Sequence, residues 1–336
     1  MGEGAVTDNR AAESVHLALS IVAPVYNERG NVRPLYDALL AALGTLEKTW
    51  EIVLVNDGST DGTTEALDEI AAADSRVTVV HLRRNFGQSA AMAAGFDQAR
   101  GDVVIAMDAD LQNDPADIPL LLDRLDQGYD VVSGWRKDRK DPWLTRRLPS
   151  NVANWLISTM TGVHLHDYGC SLKAYRREVL ADIRLYGDMH RFIPALAHWA
   201  GGRVAEVVVT HHPRRFGKSK YGLGRIFRVV LDLLTVKFLM SYSTKPIQVF
   251  GAWGVWSGLL GFALCAYLTI LKLGFGQNIG GRPLLLLGVL LIFIGAQFVT
   301  LGLLAELQTR TYYEARGRPI YALRRVVSSR GSGGTS

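Results

Sequence analysis

Two uncharged apolar runs near the carboxyl end constrain this chain more than any other feature. Ile247–Leu271 and Pro283–Ala305 contain no Asp, Glu, Lys or Arg. A helix of about 20 residues crosses the hydrocarbon core of a bilayer, so each run is long enough to span it. The link from Lys272 to Arg282 is only long enough to turn the chain around, and 246–306 reads as a transmembrane hairpin. Lys237 and Lys245 precede the first run, and Arg310, Arg316, Arg318, Arg324 and Arg325 follow the second. The link carries only Lys272 and Arg282. Basic flanks stay inside, so both termini are expected in the cytoplasm, in a multi-pass protein of the cell inner or plasma membrane. Gly251, Gly254, Gly258 and Gly261 form a small-residue face on the first run, and Gly288, Gly295 and Gly302 one on the second. Such faces serve packing within the hairpin or contact between the subunits of a homo-oligomer.

The remainder is of another kind. Of 336 residues, 48% are apolar and 21% charged, and most of the charges precede residue 246. That division excludes a disordered chain, a small disulfide scaffold and an ordinary cytosolic enzyme. Two cysteines, Cys170 and Cys265, offer no disulfide framework and suit a reducing compartment. The net charge of +5 is modest, and no nucleic-acid partner is expected. Residues 1–15 are polar and aperiodic, a disordered tail. Leu17–Val25 carries Pro24 and runs into Tyr26-Asn27-Glu28, unlike the core of a signal peptide. Residues 307–336 read as a basic cytoplasmic tail, Gly/Ser-rich and disordered from Ser328.

From residue 16 to 222 short β-branched runs alternate with amphipathic segments. Strands are expected at Leu19–Ala23, Glu51–Val55, Val77–Leu82, Val103–Met107, Asp130–Ser133 and Val204–Thr210, and helices at Val32–Leu46, Thr63–Ala72, Ser89–Ala99 and Ala116–Asp126. Asp114 caps the last of these, with Pro115 at its first position. This alternation predicts an α/β domain, a mostly parallel sheet with helices on both faces. Ligands of such sheets bind at the carboxyl ends of the strands. Residues 223–245 are apolar over most of their circumference, with Arg225, Arg228 and Asp232 on one stripe. They suit amphipathic helices lying in the membrane interface, or alternatively a buried helix of the first domain.

Four clusters follow expected strands. Tyr26-Asn27-Glu28 sets an aromatic ring beside an amide and a carboxylate, groups that can stack on and hydrogen-bond a nucleobase. Asn56-Asp57-Gly58-Ser59-Thr60-Asp61-Gly62 puts an acid before small residues, which suits a ribose or base contact and equally a capped helix start. In Asp108-Ala109-Asp110-Leu111-Gln112, two carboxylates at a strand end repel unless a cation lies between them, and oxygen ligands of this kind suit Mg²⁺ or Mn²⁺. The fourth cluster is basic: Arg136, Lys137, Arg139 and Lys140, then Arg146 and Arg147, then Arg214, Arg215, Lys218 and Lys220. Phosphate or anionic lipid is its natural partner. His164, His166, His211 and His212 lack the partners of a zinc site, and Gly222-Leu223-Gly224 lacks the third glycine of a dinucleotide fingerprint.

Pro24-Val25-Tyr26-Asn27-Glu28, Asn56-Asp57-Gly58-Ser59-Thr60-Asp61, Arg84-Asn85-Phe86-Gly87-Gln88, Asp108 to Gln112, Asp167-Tyr168-Gly169-Cys170 and Gly217-Lys218-Ser219-Lys220-Tyr221 stand together in one order. In these motifs the chain resembles the polyprenyl-phosphate glycosyltransferases of the dolichol-phosphate-mannose-synthase type, within family 2 glycosyltransferases. The wording of Asp167–Cys170 and Phe192-Ile193-Pro194 is similar to the bacterial undecaprenyl-phosphate branch. The resemblance implies a GT-A fold, a nucleotide-sugar donor, Mg²⁺ or Mn²⁺, and a polyprenyl phosphate acceptor at the membrane. Pro24, Tyr26, Asn27, Glu28, Val55 and Asp57 would hold the nucleoside. Asp108, Asp110 and Gln112 would hold metal, with Asp108 and Ala109 also on the donor. Arg136, Arg146 and Arg147 would meet the acceptor phosphate, and Arg215 and Lys220 would close over the diphosphate. Asp110, Asp167, Arg136 and Arg146 would form the catalytic set, Asp167 as a base or as an orienting group. Many relatives carry Asp where this chain has Asn56. The implied reaction is inverting hexose transfer from UDP-glucose or a related UDP-sugar to undecaprenyl phosphate, or alternatively from GDP-mannose. A processive polysaccharide synthase would carry a Gln-x-x-Arg-Trp motif and more spans. A non-catalytic sugar-nucleotide binder would not need the intact acidic pair.

Overall fold

The computed structural model describes residues 16–137, 148–181, 183, 185, 189–213, 246–276, 278, 283–314 and 321–329. The chain divides into two units, Met1–Asp232 with Pro319–Ser336, and Leu233–Arg318.

The first unit alternates as its hydrophobic pattern requires. In order, β1 is Leu19–Val25, α1 Arg29–Leu43, β2 Trp50–Asn56, α2 Thr63–Ala73, β3 Val77–Leu82, α3 Gln88–Gln98 and β4 Val103–Ala106. A single turn at Pro115–Asp117 leads into α4, Ile118–Asp126, followed by β5 at Val131–Trp135 and α5 at Leu148–Thr161. Then come β6 at Lys173–Arg176, α6 at Arg177–Ala181, a turn at Met189–Phe192, α7 at Ile193–Trp199 and β7 at Val204–Val208. Asp114 caps its turn as expected, its side chain accepting from the Ala116 N–H at 3.0 Å.

The strands form one sheet in the order β7-β5-β6-β4-β1-β2-β3-β8, where β8 is Leu323–Ser328. β1 pairs in parallel with β2 and β4, β2 with β3, and β5 with β7, while β6 and β8 run antiparallel to their neighbours. The sheet is therefore more mixed than the sequence suggests. Residues 307–336, read as a tail, also need correcting. Within them Leu323–Ser328 forms the sheet edge, with Tyr321 Oη donating to Asp97 at 2.6 Å and Arg83 Nε to the Leu323 carbonyl at 3.1 Å. All seven residues of β2 are buried, which is why it reads as a continuous apolar run. Alternation divides the strand side chains. Ile21, Ala23, Ile52 and Leu54 share one cluster with Leu35, Leu39, Leu67 and Leu121 of α1, α2 and α4. On the other face α3 approaches so closely that a Cβ on Gly95 would lie 2.3 Å from Val22 Cγ1.

The second unit is a helical hairpin, α8 at Pro246–Phe275 and α9 at Pro283–Glu314. Both are long and apolar enough to cross a bilayer. The helices meet through their glycines: a Cβ on Gly254 would lie 2.7 Å from the Gly295 carbonyl oxygen, and one on Gly261 2.6 Å from that of Gly288. Ser257 Oγ donates across the hairpin to the Leu291 carbonyl at 3.0 Å. These glycines serve packing within the hairpin, the first of the two readings their spacing allows. Trp253, Trp256, Phe262 and Leu286 are exposed, as side chains facing lipid would be. The interfacial segment 223–245 lies outside the described residues.

Candidate active site

The carboxyl ends of β1 and β2 are level because Pro24 pairs with Val55 and Val25 with Asn56. The loops that follow are bonded to each other. Asn27, at a left-handed φ of 54°, donates its N–H to Ser59 Oγ at 2.9 Å, and its side-chain oxygen accepts from the Thr60 N–H at 2.8 Å. Asn56 Oδ1 accepts from the Ser59 N–H at 2.9 Å. Arg29, Ser59, Thr60, Gly62, Thr64 and Glu65 line a recess at this edge, and Pro24, Tyr26, Asn27 and Glu28 are half-buried in the adjoining segment. The Asp57 carboxylate accepts the N–H groups of Phe86 at 2.7 Å and Gly87 at 3.0 Å, and burial raises its pKa against those bonds. Asp57 thus ties the β3–α3 loop to the end of β2. Glu28 accepts from Asn31 Nδ2 at 2.6 Å. Val55 is fully buried against Gly95, so its side chain supports the pocket from beneath α3.

The acidic cluster follows β4. Leu111 sits at φ 59°, a left-handed conformation that costs a non-glycine residue on the order of 1 kcal/mol or more and concentrates at functional sites. It turns the chain so that Asp110 Oδ1 accepts the Gln112 N–H at 3.1 Å. Ala109 and Asp110 are buried and Asp108 is half-buried. Asp108 Oδ1 accepts from Gln88 Nε2 at 2.6 Å, and the Asp108 N–H donates to Ser171 Oγ at 3.3 Å. Burial, together with the Asp110 carboxylate beside it, pushes the Asp108 pKa up to about 6. Two crowded acids with an amide nearby fit a hard divalent cation, which is commonly held by one or two carboxylates and completed by substrate phosphates. That mode needs no third acidic ligand, and no cluster of three or more His, Cys, Asp or Glu occurs among the described residues. Gln112 is half-buried, its carbonyl bonded to the His212 N–H at 2.8 Å.

The sign of the Asp108 shift makes the metal testable without an activity assay. Between the ordinary carboxylate range and about pH 6 the folded protein keeps a proton that the unfolded chain has lost. Stability without metal therefore falls as pH rises through that window, and above it a cation offsets the repulsion. Mg²⁺ or Mn²⁺ is expected to raise the melting temperature at pH 7.5, and to do so less and less below about pH 6 as Asp108 protonates. Equal stabilisation at pH 5 would remove the cation from this pair.

Arg136 follows β5 and is almost buried. Its Nε donates to Asp167 Oδ2 at 2.7 Å and its Nη2 to Oδ1 at 3.0 Å, a two-point fork. Side-chain exposures of 11% and 7% keep water from competing for the pair. The Asp167 carboxylate raises the Arg136 pKa further above its ordinary value against the effect of burial, so the guanidinium is permanently charged. Its positive charge reaches Asp108 and lowers that residue's pKa. Both Asp167 oxygens bond the Arg136 guanidinium, a geometry compatible with the orienting role that the sequence leaves open beside that of a base. Arg146, Arg147, Arg215 and Lys220 lie outside the described residues.

Two supporting residues, Ser171 and Lys173, escape sequence reading, and Gln88, part of a quoted motif, gains a role there only from the structure. Gln88 and Ser171 bond Asp108. Lys173 is buried, donating to the Tyr168 carbonyl at 3.2 Å and to that of Cys170. It fastens the loop bearing Asp167 and Ser171, and its charge lowers the Asp108 pKa. The histidines have local partners, His212 with Asp114 at 2.8 Å and His166 with Glu206 at 2.7 Å. The buried Cys170 thiol is pushed up to about 11 and is no nucleophile at neutral pH.

The strand ends thus gather a recess beside the 57–60 turn, an acid pair and a buried arginine, groups that can take a phosphorylated ligand and a divalent cation. Residues 20–184 match the family profile described as Glycosyl transferase family 2. Dodecaprenyl-phosphate galacturonate synthase of Rhizobium johnstonii is 46% identical over 92% of this chain and 93% of its own length. Undecaprenyl-phosphate 4-deoxy-4-formamido-L-arabinose transferase of Edwardsiella ictaluri is 43% identical over 92% and 94%. The chain belongs to glycosyl transferase family 2, and these relatives, matching over nine-tenths of it, are polyprenyl-phosphate sugar transferases. The fold is GT-A. Glucosyl-3-phosphoglycerate synthase from Mycobacterium tuberculosis, solved with Mn²⁺, uridine diphosphate and glucosyl-3-phosphoglycerate, superposes with a TM-score of 0.52 at 21% identity, covering 66% of this chain and 80% of that one.

Proposed function

We propose that the protein transfers a sugar, with inversion, from a UDP-sugar to a polyprenyl phosphate at the cytoplasmic face of the inner membrane. The observation that carries this is the Asp108–Asp110 pair at the end of β4, within electrostatic reach of an Arg136 held rigidly by Asp167. The names of the relatives support the acceptor class. The uridine diphosphate and Mn²⁺ in the superposed synthase are consistent with the donor and cofactor. Among donors, the galacturonate relative sets UDP-galacturonate beside UDP-glucose as the first to test.

The chemistry follows from charge. As the sugar bond breaks, negative charge builds on the leaving nucleoside diphosphate. A divalent cation bound by Asp108, Asp110 and the Gln112 amide would neutralise part of it. Arg215 and Lys220 would supply the rest from the protein, the kind of preorganised stabilisation that contributes most at such sites. Tyr26, Asn27, Glu28 and Asp57 hold the nucleoside end. The acceptor phosphate is anionic at neutral pH and needs no strong base, but it must approach another anion. Arg136, with Arg146 and Arg147, overcomes that repulsion and aligns the phosphate oxygen for in-line attack. Asp167 keeps the Arg136 fork aimed, and no proton has to leave the nucleophile.

Purified protein given undecaprenyl phosphate and a panel of UDP-glucose, UDP-galacturonate, UDP-glucuronate and GDP-mannose tests the donor. One UDP-sugar should be consumed far faster than the rest, and preference for GDP-mannose would overturn the uridine assignment. The orientation has its own test. Asn278→Cys is expected to react with a membrane-impermeant reagent from outside intact cells and Ser336→Cys to be spared, whereas the reverse pattern would put the donor on the wrong side.

A further inference from the structure

A line of hydrogen bonds runs from the nucleoside recess to the strand that follows the helical hairpin. Asn56, 3% exposed, uses every polar hydrogen of its amide: Nδ2 donates to Thr64 Oγ1 at 2.9 Å and to His81 Nδ1 at 3.0 Å. His81, 2% exposed, places its other nitrogen 3.0 Å from Asp68 Oδ1 on α2. Because Nδ1 accepts from Asn56, the ring is neutral with its proton on Nε2, where it donates to Asp68. Burial lowers the His81 pKa and favours that neutral form. Asp68 Oδ2 is ion-paired with Arg325 of β8. Asn56, His81 and Arg325 occupy facing register positions on the neighbouring strands β2, β3 and β8.

The near end of this line reaches the turn at 57–60, proposed above as part of the nucleoside site. The Asn56 Oδ1 that accepts from Ser59 belongs to the amide whose Nδ2 is held by His81, so the ring decides which way the amide faces. Ser59 in turn holds Asn27, and Asn27 holds Thr60. We infer that Arg325 and His81 are positioning residues for the nucleoside: the strand beyond the hairpin, acting through Asp68, His81 and Asn56, sets the turn at 57–60 in its binding conformation. The inference rests on the reading of that recess as the nucleoside site. Without Arg325 the Asp68 carboxylate loses its counter-charge and turns towards water. His81 then loses the partner that fixes its tautomer, and the Asn56 amide is free to flip. The chemistry also accounts for an amide at position 56, since a carboxylate there would have no hydrogen to give Nδ1.

The test is UDP binding by calorimetry to the full-length protein in detergent with Mg²⁺, comparing Arg325→Ala, Asp68→Asn, the double variant and Arg324→Ala. Arg324 is the control, carrying the same charge one position earlier on the same strand, where its charge acts on His81 but the bond to Asp68 is made by Arg325. Arg325→Ala is expected to weaken UDP about fivefold, the scale of energetic coupling carried by packed networks, and Arg324→Ala to change it little. Arg325→Lys, which restores the charge, should recover part of the loss. The double variant should be no weaker than the worse single one, because both cut the same line. A purely structural role for β8 would lower melting temperature in step for both arginine variants and leave UDP affinity unchanged. That result, or losses that multiply in the double variant, would overturn the inference. Failure of the wild-type protein to bind UDP would overturn the nucleoside site itself and this inference with it.

Discussion

Asp110→Asn is expected to abolish transfer, by about a thousandfold or more, while the protein still folds and inserts. Losses of that order follow removal of a group that stabilises charge in the transition state. The substitution keeps the shape of Asp110 and its bond from the Gln112 N–H but removes one of the two charges that can retain a cation at the end of β4. It also relieves the repulsion that raises the Asp108 pKa, so the variant should be at least as stable as wild type without metal. Loss of activity with retained melting temperature, and loss of the Mg²⁺-dependent stabilisation at pH 7.5, form the expected pair of results. Near wild-type turnover with saturating Mg²⁺ or Mn²⁺ would remove Asp110 from the site.

The second large effect is expected at Arg136. Its fork is buried on Asp167, so Arg136→Ala leaves a carboxylate with no counter-charge and Asp167→Asn leaves a guanidinium with none. Breaking a buried pair from one side costs about 3–5 kcal/mol. Both variants should lose stability, and kinetics distinguish their roles. Arg136→Ala should raise the acceptor KM far more than the donor KM if, as proposed, the lost group meets the incoming phosphate. Asp167→Asn should do the same more mildly, because Arg136 keeps its charge and loses only its aim. Arg136→Lys should recover little, as an ammonium cannot make the two-point contact. A raised donor KM with an unchanged acceptor KM would move Arg136 to the diphosphate side. Asp167→Asn with a normal acceptor KM and a collapsed kcat that recovers at high pH would mark Asp167 as a base after all.

The parts of this account legible in the sequence were those governed by local periodicity. β1 to β5 and β7 lie where alternating or continuous apolar runs placed them, within two or three residues, and the two membrane-length helices follow from composition alone. β6 and β8 were not legible for a physical reason. Lys173-Ala174-Tyr175-Arg176 and Leu323-Arg324-Arg325-Val326-Val327-Ser328 are short and basic, and become strands only because a neighbouring edge is there to pair with. The site divides the same way. Strand-end motifs singled out Asp57, Asp108, Asp110 and Arg136, all of which follow strands as expected, but no spacing rule could show that Asp167, 31 residues on, bonds Arg136. Nor could one show that Gln88 reaches Asp108, or that Asn56 is an amide because His81 lies beside it. Such contacts depend on strand order, which local pattern does not encode.

The central claim is transfer to a lipid phosphate, and the most direct measurement is the mass of the product. Purified protein with undecaprenyl phosphate, Mg²⁺ and the preferred UDP-sugar should form one new lipid, heavier than the acceptor by a single anhydro-sugar residue, with one UDP released per lipid. Omitting the acceptor should stop UDP release. UDP formed at the same rate without acceptor, or a product carrying a chain of sugars or a second phosphate, would contradict it.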